Sequence, residues 1–264
     1  MNETRSETVE GIQKLTAGLI AINPAGHKLY LIGGFRYRLL SHSCRTSLDI
    51  DYHWDGNLDG KQMEIVDLLQ SKLLPEVKRR FGYDGTVCPA SGPDADSPFV
   101  RTVLAAFYRT GARADRIELP VEITRITCLD KPVVRTVAGT VYLTASDADM
   151  VESKIIALFN RGFLEARDIL DLFLFQDSFV ADSAQRLRTK FIRLQISSAA
   201  VTDRCGRLLK NRVVHVRAID AILDDQVDAA VAATLMAAGG GNMIFDTVVA
   251  LLGDKLEILR GAAS

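Results

Sequence analysis

The 264-residue sequence predicts an α+β fold, in which a mixed sheet with flanking helices fills the N-terminal half and a bundle of helices follows. Apolar and polar residues alternate at the two-residue period of a strand in residues 48–52 and again in 116–126. From Ser146 onward the apolar residues recur at helical spacing almost without interruption. This change of pattern predicts a domain boundary near Asp149, with one domain over residues 1–149 and a second over 150–264.

The first predicted elements alternate between helix and strand. Apolar residues recur every three or four positions from Ile12 to Ile22, which is typical of an amphipathic helix that ends at Asn23-Pro24. A short apolar strand then runs directly into Gly33-Gly34. In the second strand, Leu48 and Ile50 share one face, and Asp49 and Asp51 share the other. These patterns predict a helix over 8–22, a strand over 28–32, a helix over 35–41 and a strand over 48–52.

The middle of the chain predicts one helix, one loop and one hairpin. Apolar spacing indicates a helix over 63–77. Residues 82–98 are rich in Gly, Pro, Asp and Ser, which predicts a long loop. Two strands, 99–109 and 116–126, follow around a short turn and should pair as a hairpin. Pro120 cannot donate to a strand ladder, so we expect it at a sheet edge or a bulge.

Composition excludes several classes of protein. There are 32 Lys and Arg residues against 33 Asp and Glu, so net charge indicates no nucleic-acid partner by itself. The four cysteines form no C-x-x-C pair, which excludes a zinc ribbon and suits reduced thiols. The polar start of the sequence lacks the features of a secretion signal, and glycines interrupt the longest apolar stretch. We therefore expect a cytoplasmic protein without a membrane span.

Residues 31–51 carry the clearest chemical signal. A strand that ends in two glycines lets backbone N–H groups approach a phosphate closely. Fourteen residues separate Gly34 from the next acidic pair, Asp49 and Asp51, whose Cα atoms should be roughly 7 Å apart along a strand. Neighbouring carboxylates repel each other unless a cation neutralises them, and Mg²⁺ prefers carboxylate and phosphate oxygens. An exposed acidic strand after a glycine turn is the alternative for either feature alone, but the combination predicts a metal–nucleotide site.

This pattern resembles a known family. Gly33-Gly34, the Arg45-Thr46-Ser47 segment and the Asp49-Ile50-Asp51 segment are similar to motifs of the AbiEii/AbiGii toxin family of nucleotidyltransferases, in the DNA polymerase β-like superfamily. A second motif of the family is a helical lysine followed by an R-D-x-x-D-L block. Here Lys154 and Arg161 precede the block at residues 167–172.

The resemblance implies a nucleotidyltransferase-type sheet, an activity and a set of partners. The activity would be Mg²⁺-dependent transfer of a nucleoside monophosphate from a nucleoside triphosphate to an acceptor. In this family the acceptor is thought to be RNA, with tRNA 3′ ends the best-supported class, and the protein is paired with a cognate antitoxin.

The resemblance also assigns roles to individual residues. Asp49 and Asp51 would hold the metal, together with a third carboxylate for which Glu122 is our choice and Glu118 the alternative. Either glutamate could equally be part of a solvated strand face. Lys154 would bind the triphosphate. In the second motif, Asp168 would be the functional acid and Asp171 the structural one. The nucleotide-binding residues would be Gly33, Gly34, Arg45, Ser47, Lys154 and Arg161, and the catalytic residues Asp49, Asp51, Glu122, Lys154 and Asp168.

Three points stay open at the level of sequence. One helix could carry Lys154, Arg161 and Asp168 on a single face, or Gly162 could divide it into two helices. Phe35 stands where the superfamily usually has Ser or Thr, so a degenerate nucleotide-binding module is an alternative function. A nucleotidyltransferase that modifies a small-molecule antibiotic is the other alternative.

The helical half contains a strongly basic segment. Residues 183–218 carry nine basic residues and one acid, a net charge of +8 in a chain whose total is −1. Such a segment could bind the phosphates of RNA. Arg186, Lys190 and Arg193 share one helical face and are the predicted RNA contacts. A solvated basic helix paired with acidic neighbours is the alternative.

Overall fold

The computed structural model of the protein describes residues 3–90, 99–109, 116–160 and 164–261. The chain divides into two compact units. Unit 1 comprises residues 1–126 and 132–145, and unit 2 comprises residues 127–131 and 146–264. The sequence predicts a division near Asp149, whereas the structure assigns Asp149 itself to unit 2.

Unit 1 is built on a sheet that has seven strands in the described residues. Their order across the sheet is β3-β4-β5-β2-β1-β7-β6. The strands are β1 (Tyr30–Ile32), β2 (Ile50–His53), β3 (Asp84–Pro89), β4 (Val100–Tyr108), β5 (Arg116–Thr124), β6 (Val133–Val137) and β7 (Thr140–Thr144). The β2–β5 and β1–β7 pairs are parallel, and the other neighbours are antiparallel. The mixed sheet predicted from the sequence is therefore confirmed.

Helices cover this sheet and close the core of unit 1. They are α1 (Glu3–Ile22), α2 (Gly33–Ser41), α3 (Leu58–Leu68) and α4 (Leu74–Phe81), with a π-helical turn at Leu69–Leu73 between the last two. Apolar side chains of β2 and β5, such as Ile50 and Val121, are fully buried among these helices. The same alternation leaves Asp51 and Glu122 on the other face of their strands. The core thus fixes the strands that present the two carboxylates.

For the middle of the chain, the predicted loop is wrong, and the prediction of an edge position for Pro120 holds only locally. The expected loop over 82–98 contains β3, an edge strand that pairs with β4 from Asp84 to Pro89, while residues 91–98 lie outside the described part. Pro120 lies in β5, which is an interior strand of the sheet but is paired on only one side at this position. Pro120 pairs with Leu104 on one side, and the ladder to β2 begins one residue later, at Val121. The missing N–H therefore falls just before the parallel ladder.

Unit 2 is helical, as the sequence predicts. Its helices are α5 (Asp147–Asn160), α6 (Ala166–Leu174), α7 (Ser183–Arg193), α8 (Ser198–Lys210), α9 (Arg212–Gln226), α10 (Ala229–Ala237) and α11 (Gly240–Gly261). The Ser146 hydroxyl caps α5 by accepting a hydrogen bond from the N–H of Asp149 at 3.0 Å. The long α11 packs against α6, α7 and α9.

A search of the described helices for membrane spans gives one result. None of them alone is both long enough and apolar enough to cross a bilayer. Only α10 together with residues 240–256 passes that test, and this pair is bent by 77°.

Candidate active site

The glycine turn after β1 is the first part of the candidate site. Gly33 has a φ of +75°, in the left-handed region that favours glycine. A Cβ atom at Gly33 would lie 1.7 Å from Oδ2 of Asp51. The carboxylate of β2 therefore sits directly against the backbone of the turn. The two sequence motifs that predicted a metal–nucleotide site are in contact.

The second glycine makes an equally close approach to the Arg45–Ser47 segment. A Cβ atom at Gly34 would lie 2.6 Å from Nη2 of Arg45 and 2.7 Å from Oγ of Ser47. Gly34 is also in the first turn of α2, whose N-cap residue, Ile32, makes no side-chain capping hydrogen bond. The first N–H groups of an α-helix have no partner within the helix and attract anions. This turn therefore combines helix N–H groups with the guanidinium of Arg45.

The carboxylates lie on neighbouring strands. Asp51 is directly opposite Glu122 in the parallel β2–β5 ladder, where strands are about 4.8 Å apart, so both side chains leave the same face. Asp49 lies just before β2, and the hydroxyl of Ser47 donates a hydrogen bond to its Oδ1 at 2.5 Å. All three carboxylates are partly exposed. Two like charges at adjacent positions favour a bound cation.

Glu118, the alternative third carboxylate, lies elsewhere on β5. It is opposite Ala106 of β4, beyond the point where the β2 ladder begins, and it forms an ion pair with Arg116 at 2.6 Å. Glu118 is therefore separated from Asp51 along the sheet.

The donor set suits Mg²⁺ that is shared with a phosphate. Among the described residues, no three His, Cys, Asp or Glu side chains converge closely enough to form a complete metal site. Mg²⁺ typically takes only one or two carboxylates and completes its octahedron with water and substrate phosphates. The partly exposed pair of Asp51 and Glu122, next to a glycine turn, fits that requirement.

A residue from α1 supports this site and was missed from the sequence. Nε2 of Gln13 donates a hydrogen bond to the carbonyl oxygen of Ser47 at 2.7 Å, and both residues are buried. Ser47 in turn holds Asp49. Gln13 therefore fixes the loop that presents a candidate metal ligand. A single glutamine among the apolar residues of a helix gives no sequence signal of this contact.

Two aromatic residues near the site pack inside unit 1. Phe35, which stands at the Ser/Thr position of the superfamily, is fully buried in the core. Trp54 lies under the ammonium group of Lys61, which is 4.4 Å from the ring centroid, and its Nε1 donates to the carbonyl of Asn57 at 3.3 Å. Packing against its neighbours is thus the observed role of Trp54.

The second motif lies in unit 2 and forms a buried ion-pair cluster. Nζ of Lys154 on α5 is 3.0 Å from Oδ1 of Asp168 and 2.8 Å from Oδ2 of Asp171, both on α6. The motif therefore spans two helices, and Arg161 lies outside the described residues. The motif predicts a functional role for its first acid, Asp168, and a structural role for its second, Asp171. The lysine bridges both carboxylates, so this contact does not distinguish the two acids, and their separate roles stay a prediction.

The predicted basic face of α7 requires a correction. Lys190 is 0% exposed, and its Nζ is 2.7 Å from Asp149 and 2.9 Å from Glu152. Arg186 is bound to the same two acids and to Asp130 at distances of 2.7–3.0 Å. These buried pairs leave neither side chain available to RNA, so the alternative of a helix paired with acidic neighbours is correct for both. Arg193 is exposed.

Comparison with known proteins gives structural relatives only. The sequence matches no protein-family model and no curated protein at a significant level. The structure is similar to that of a Helicobacter pylori protein described as a nucleotidyltransferase, with a TM-score of 0.55, 20% identity and coverage of 98% of this chain and 99% of the other. It is also similar to JHP933 of H. pylori, with a TM-score of 0.53, 17% identity and full coverage of both chains. The protein has a nucleotidyltransferase-type fold.

A toxin is among the other structural relatives. MenT4, a nucleotidyltransferase toxin of Mycobacterium tuberculosis, matches with a TM-score of 0.50 and 15% identity. The match covers 69% of this chain and 63% of MenT4. At these identities the likeness concerns the fold.

Proposed function

We propose that this protein is a Mg²⁺-dependent nucleotidyltransferase of the AbiEii/AbiGii toxin type, which transfers a nucleoside monophosphate from a nucleoside triphosphate to an RNA acceptor such as tRNA. The observation that carries the proposal is the contact between Gly33 and the carboxylate of Asp51, with Glu122 opposite Asp51 on the next strand. A tight glycine turn beside paired carboxylates suits a triphosphate and a divalent cation together.

The glycine turn would bind the triphosphate. The N–H groups at the start of α2 supply hydrogen-bond donors, and the adjacent guanidinium of Arg45 supplies a fixed positive charge. Phe35 has no hydroxyl group to offer a phosphate, and its side chain is buried in the core. Binding at this turn therefore depends on backbone N–H groups and on Arg45.

The carboxylates would hold the metal ion and accept the proton. Asp49 and Asp51, with Glu122 beside them, would ligate Mg²⁺, which neutralises negative charge on the triphosphate when it is bound. In the transfer, the acceptor hydroxyl oxygen bonds to the α-phosphorus, the bond from the α-phosphorus to the bridging oxygen breaks, and pyrophosphate leaves. Glu122 would accept the proton of the attacking hydroxyl group.

Lys154, Asp168 and Arg161 are proposed participants by the resemblance of their motif. The two acids that contact Lys154 hold its ammonium group in one position, which suits a lysine that recognises phosphate as a point charge. Replacing Lys154 with Met should reduce turnover more than it reduces acceptor binding.

The proposed partners are an RNA acceptor and an antitoxin. The similarity to the toxin MenT4 supports a nucleoside triphosphate substrate and an antitoxin partner. Of the three basic residues that the sequence assigns to RNA, Arg193 remains a proposed contact because it is exposed.

The test is pyrophosphate release from each of the four nucleoside triphosphates, with Mg²⁺ and bulk tRNA. We expect release with one or more of them, and a large loss of rate in Glu122→Gln. Glu118→Gln is the matched control, because it removes the same charge from the same strand and should retain the wild-type rate. A wild-type rate in Glu122→Gln would contradict the role of Glu122.

The same assay separates the two alternative functions. Release with an aminoglycoside but not with tRNA would indicate a small-molecule nucleotidyltransferase. Mg²⁺-dependent nucleotide binding without release, whatever the acceptor, would indicate a nucleotide-binding module and contradict the proposed activity.

A further inference from the structure

Helix α9 has one buried and one exposed face. The buried face packs against α6 and α11 and consists of His215, Val216, Ile219, Ile222 and Leu223. The opposite face is exposed along the whole helix, and we call it the α9 stripe: Val213, Val214, Arg217, Ala221, Asp224 and Asp225. At about 100° per residue, these six positions fall within an arc of roughly 120°. They form one continuous surface.

Large apolar side chains are exposed at the start of the stripe. Val213 and Val214 are 61% and 64% exposed. Beyond the other end of the stripe, the first turn of α10 also exposes apolar side chains, including Ala230 and Val231. Contiguous exposed apolar surface commonly marks a protein interface. Here such surface lies at both ends of one line of charged residues.

The charges between these apolar ends are ordered. Arg217 stands four residues before Ala221, and Asp225 stands four residues after it. Within the part of the chain that the structure describes, Arg217, Asp224 and Asp225 form no ion pair. The positive and negative halves of the stripe are thus complementary to each other, but they are not paired within one molecule.

We propose that the α9 stripe binds a second copy of this chain in a symmetric antiparallel dimer. A two-fold axis at Ala221 would set Arg217 of each copy opposite Asp225 of the other, because the two positions are both about 6 Å from the axis along the helix. The small side chain of Ala221 lets the helices approach closely at the axis.

The charge pattern favours a second copy over other occupants. A wholly acidic or wholly basic partner, or an anionic membrane, would be repelled by one half of the stripe. An antiparallel copy satisfies both halves through the same contact made twice. A helix of 15 residues is about 22 Å long, so the contact area is small and the dimer should dissociate on dilution.

Charge reversal gives a specific test, independent of the proposed enzymatic activity. We expect the mass of wild-type protein in sedimentation equilibrium to rise from monomer to dimer with concentration. Arg217→Glu and Asp225→Arg should each remain monomeric. An equimolar mixture of the two variants should dimerise again, because both contacts then join opposite charges. Arg193→Glu, an exposed reversal on α7, is the matched control and should dimerise like the wild type.

Each opposite result overturns the proposal. These are a wild-type monomer at every concentration, dimerisation of either single variant, or failure of the mixture to dimerise although both variants are folded. A soluble complex of Arg217→Glu with Asp225→Arg would not form if the stripe bound an unrelated protein or a membrane.

Cross-linking tests the position of the axis. In a Cys88→Ser background, which removes an exposed thiol, Ala221→Cys should form a disulfide-linked dimer under mild oxidation. Thr202→Cys, at an exposed position on α8, should not. Equal cross-linking of both variants, or none at position 221, would contradict an axis at Ala221.

Discussion

Gly33 shows how one residue joins the two motifs of the candidate site. Its left-handed backbone alone would make Gly33→Ala cost about 1–2 kcal/mol. The added Cβ would also lie 1.7 Å from Oδ2 and 2.8 Å from Cβ of Asp51, so rotation of the carboxylate cannot relieve the clash. We expect a total loss of about 3 kcal/mol in the free energy of unfolding, measured by urea denaturation.

Gly82 supplies the control for this prediction. It has nearly the same φ, +73°, but no atom lies within 4 Å of the position that a Cβ atom would take. Gly82→Ala should therefore cost only the backbone term of about 1–2 kcal/mol. Equal losses in the two variants would mean that Asp51 does not press on Gly33.

Gln13 should affect both the stability and the metal affinity of unit 1. Gln13→Leu leaves the buried carbonyl of Ser47 without its donor, which typically costs about 1–3 kcal/mol. Because Ser47 also holds Asp49, Mn²⁺ binding measured by electron paramagnetic resonance should weaken. Gln70→Leu removes a similar hydrogen bond, to the carbonyl of Val87, far along the chain from Asp49. It should leave Mn²⁺ affinity unchanged, and equal weakening in both variants would contradict the positioning role.

At the scale of elements, α5 and α7 are joined by buried ion pairs. Removing one partner of such a pair leaves an uncompensated charge, which costs about 3–5 kcal/mol. Lys190→Met should lower the free energy of unfolding by about 3 kcal/mol, near the lower end of that range. The loss is limited because Arg186 still contacts Asp149 and Glu152. Arg193→Met, three residues away and exposed, should change the unfolding free energy by less than about 0.5 kcal/mol. Similar urea midpoints for the two variants would argue against the buried cluster.

The packing of α9 on α11 should make stability depend on pH. Burial lowers the pKa of His215 below its ordinary value of 6.5, and its ring stacks on Phe245 with centroids 6.2 Å apart. The unfolded chain then binds a proton more readily than the folded one. Stability from this group is complete above pH 6.5 and is lost as the pH falls below that value.

Thermal unfolding measured between about pH 7.5 and 5.5, around that ordinary pKa, should show the effect. His215→Phe should flatten the slope of unfolding temperature against pH. His53, whose pKa burial also lowers, acts in the same direction and should account for part of the remaining slope. An unchanged slope in His215→Phe would exclude this residue as a source.

Local sequence patterns predict individual helices and strands better than they predict which strands pair in the sheet. The sequence predicts the glycine turn, the acidic strand and the β4–β5 hairpin, because each depends on a few adjacent residues. The strand at Asp84–Pro89 is not predicted, because its Gly and Pro content is typical of loops and only pairing with β4 makes it a strand. Pairing across the sheet also determines that β5 is interior, which residue spacing cannot indicate.

The basic segment illustrates the same limit for side chains. A run of basic residues is visible in the sequence, but its partners, Asp130, Asp149 and Glu152, precede Arg186 by 34 to 56 residues. Helical spacing correctly put Arg186 and Lys190 on one face. It could not show that this face is the buried one.

At the scale of the whole molecule, binding of Mg²⁺ and a nucleoside triphosphate at the candidate site should stabilise the folded protein. Asp51 and Glu122 are like charges at adjacent positions, so Asp51→Asn removes one repulsion and should change the unfolding temperature of the free protein only slightly. A ligand that binds only the folded state stabilises it, by about 2.7 kcal/mol at a concentration of about 100 times Kd. The unfolding temperature of the wild type should therefore rise by several degrees with Mg²⁺ and its preferred nucleoside triphosphate. That of Asp51→Asn should hardly rise. Differential scanning fluorimetry, with and without Mg²⁺ and the nucleoside triphosphate, measures the unfolding temperature of the free protein and its rise on binding. Glu118→Gln should keep the full gain, and an equal gain in Asp51→Asn would remove Asp51 from the metal site.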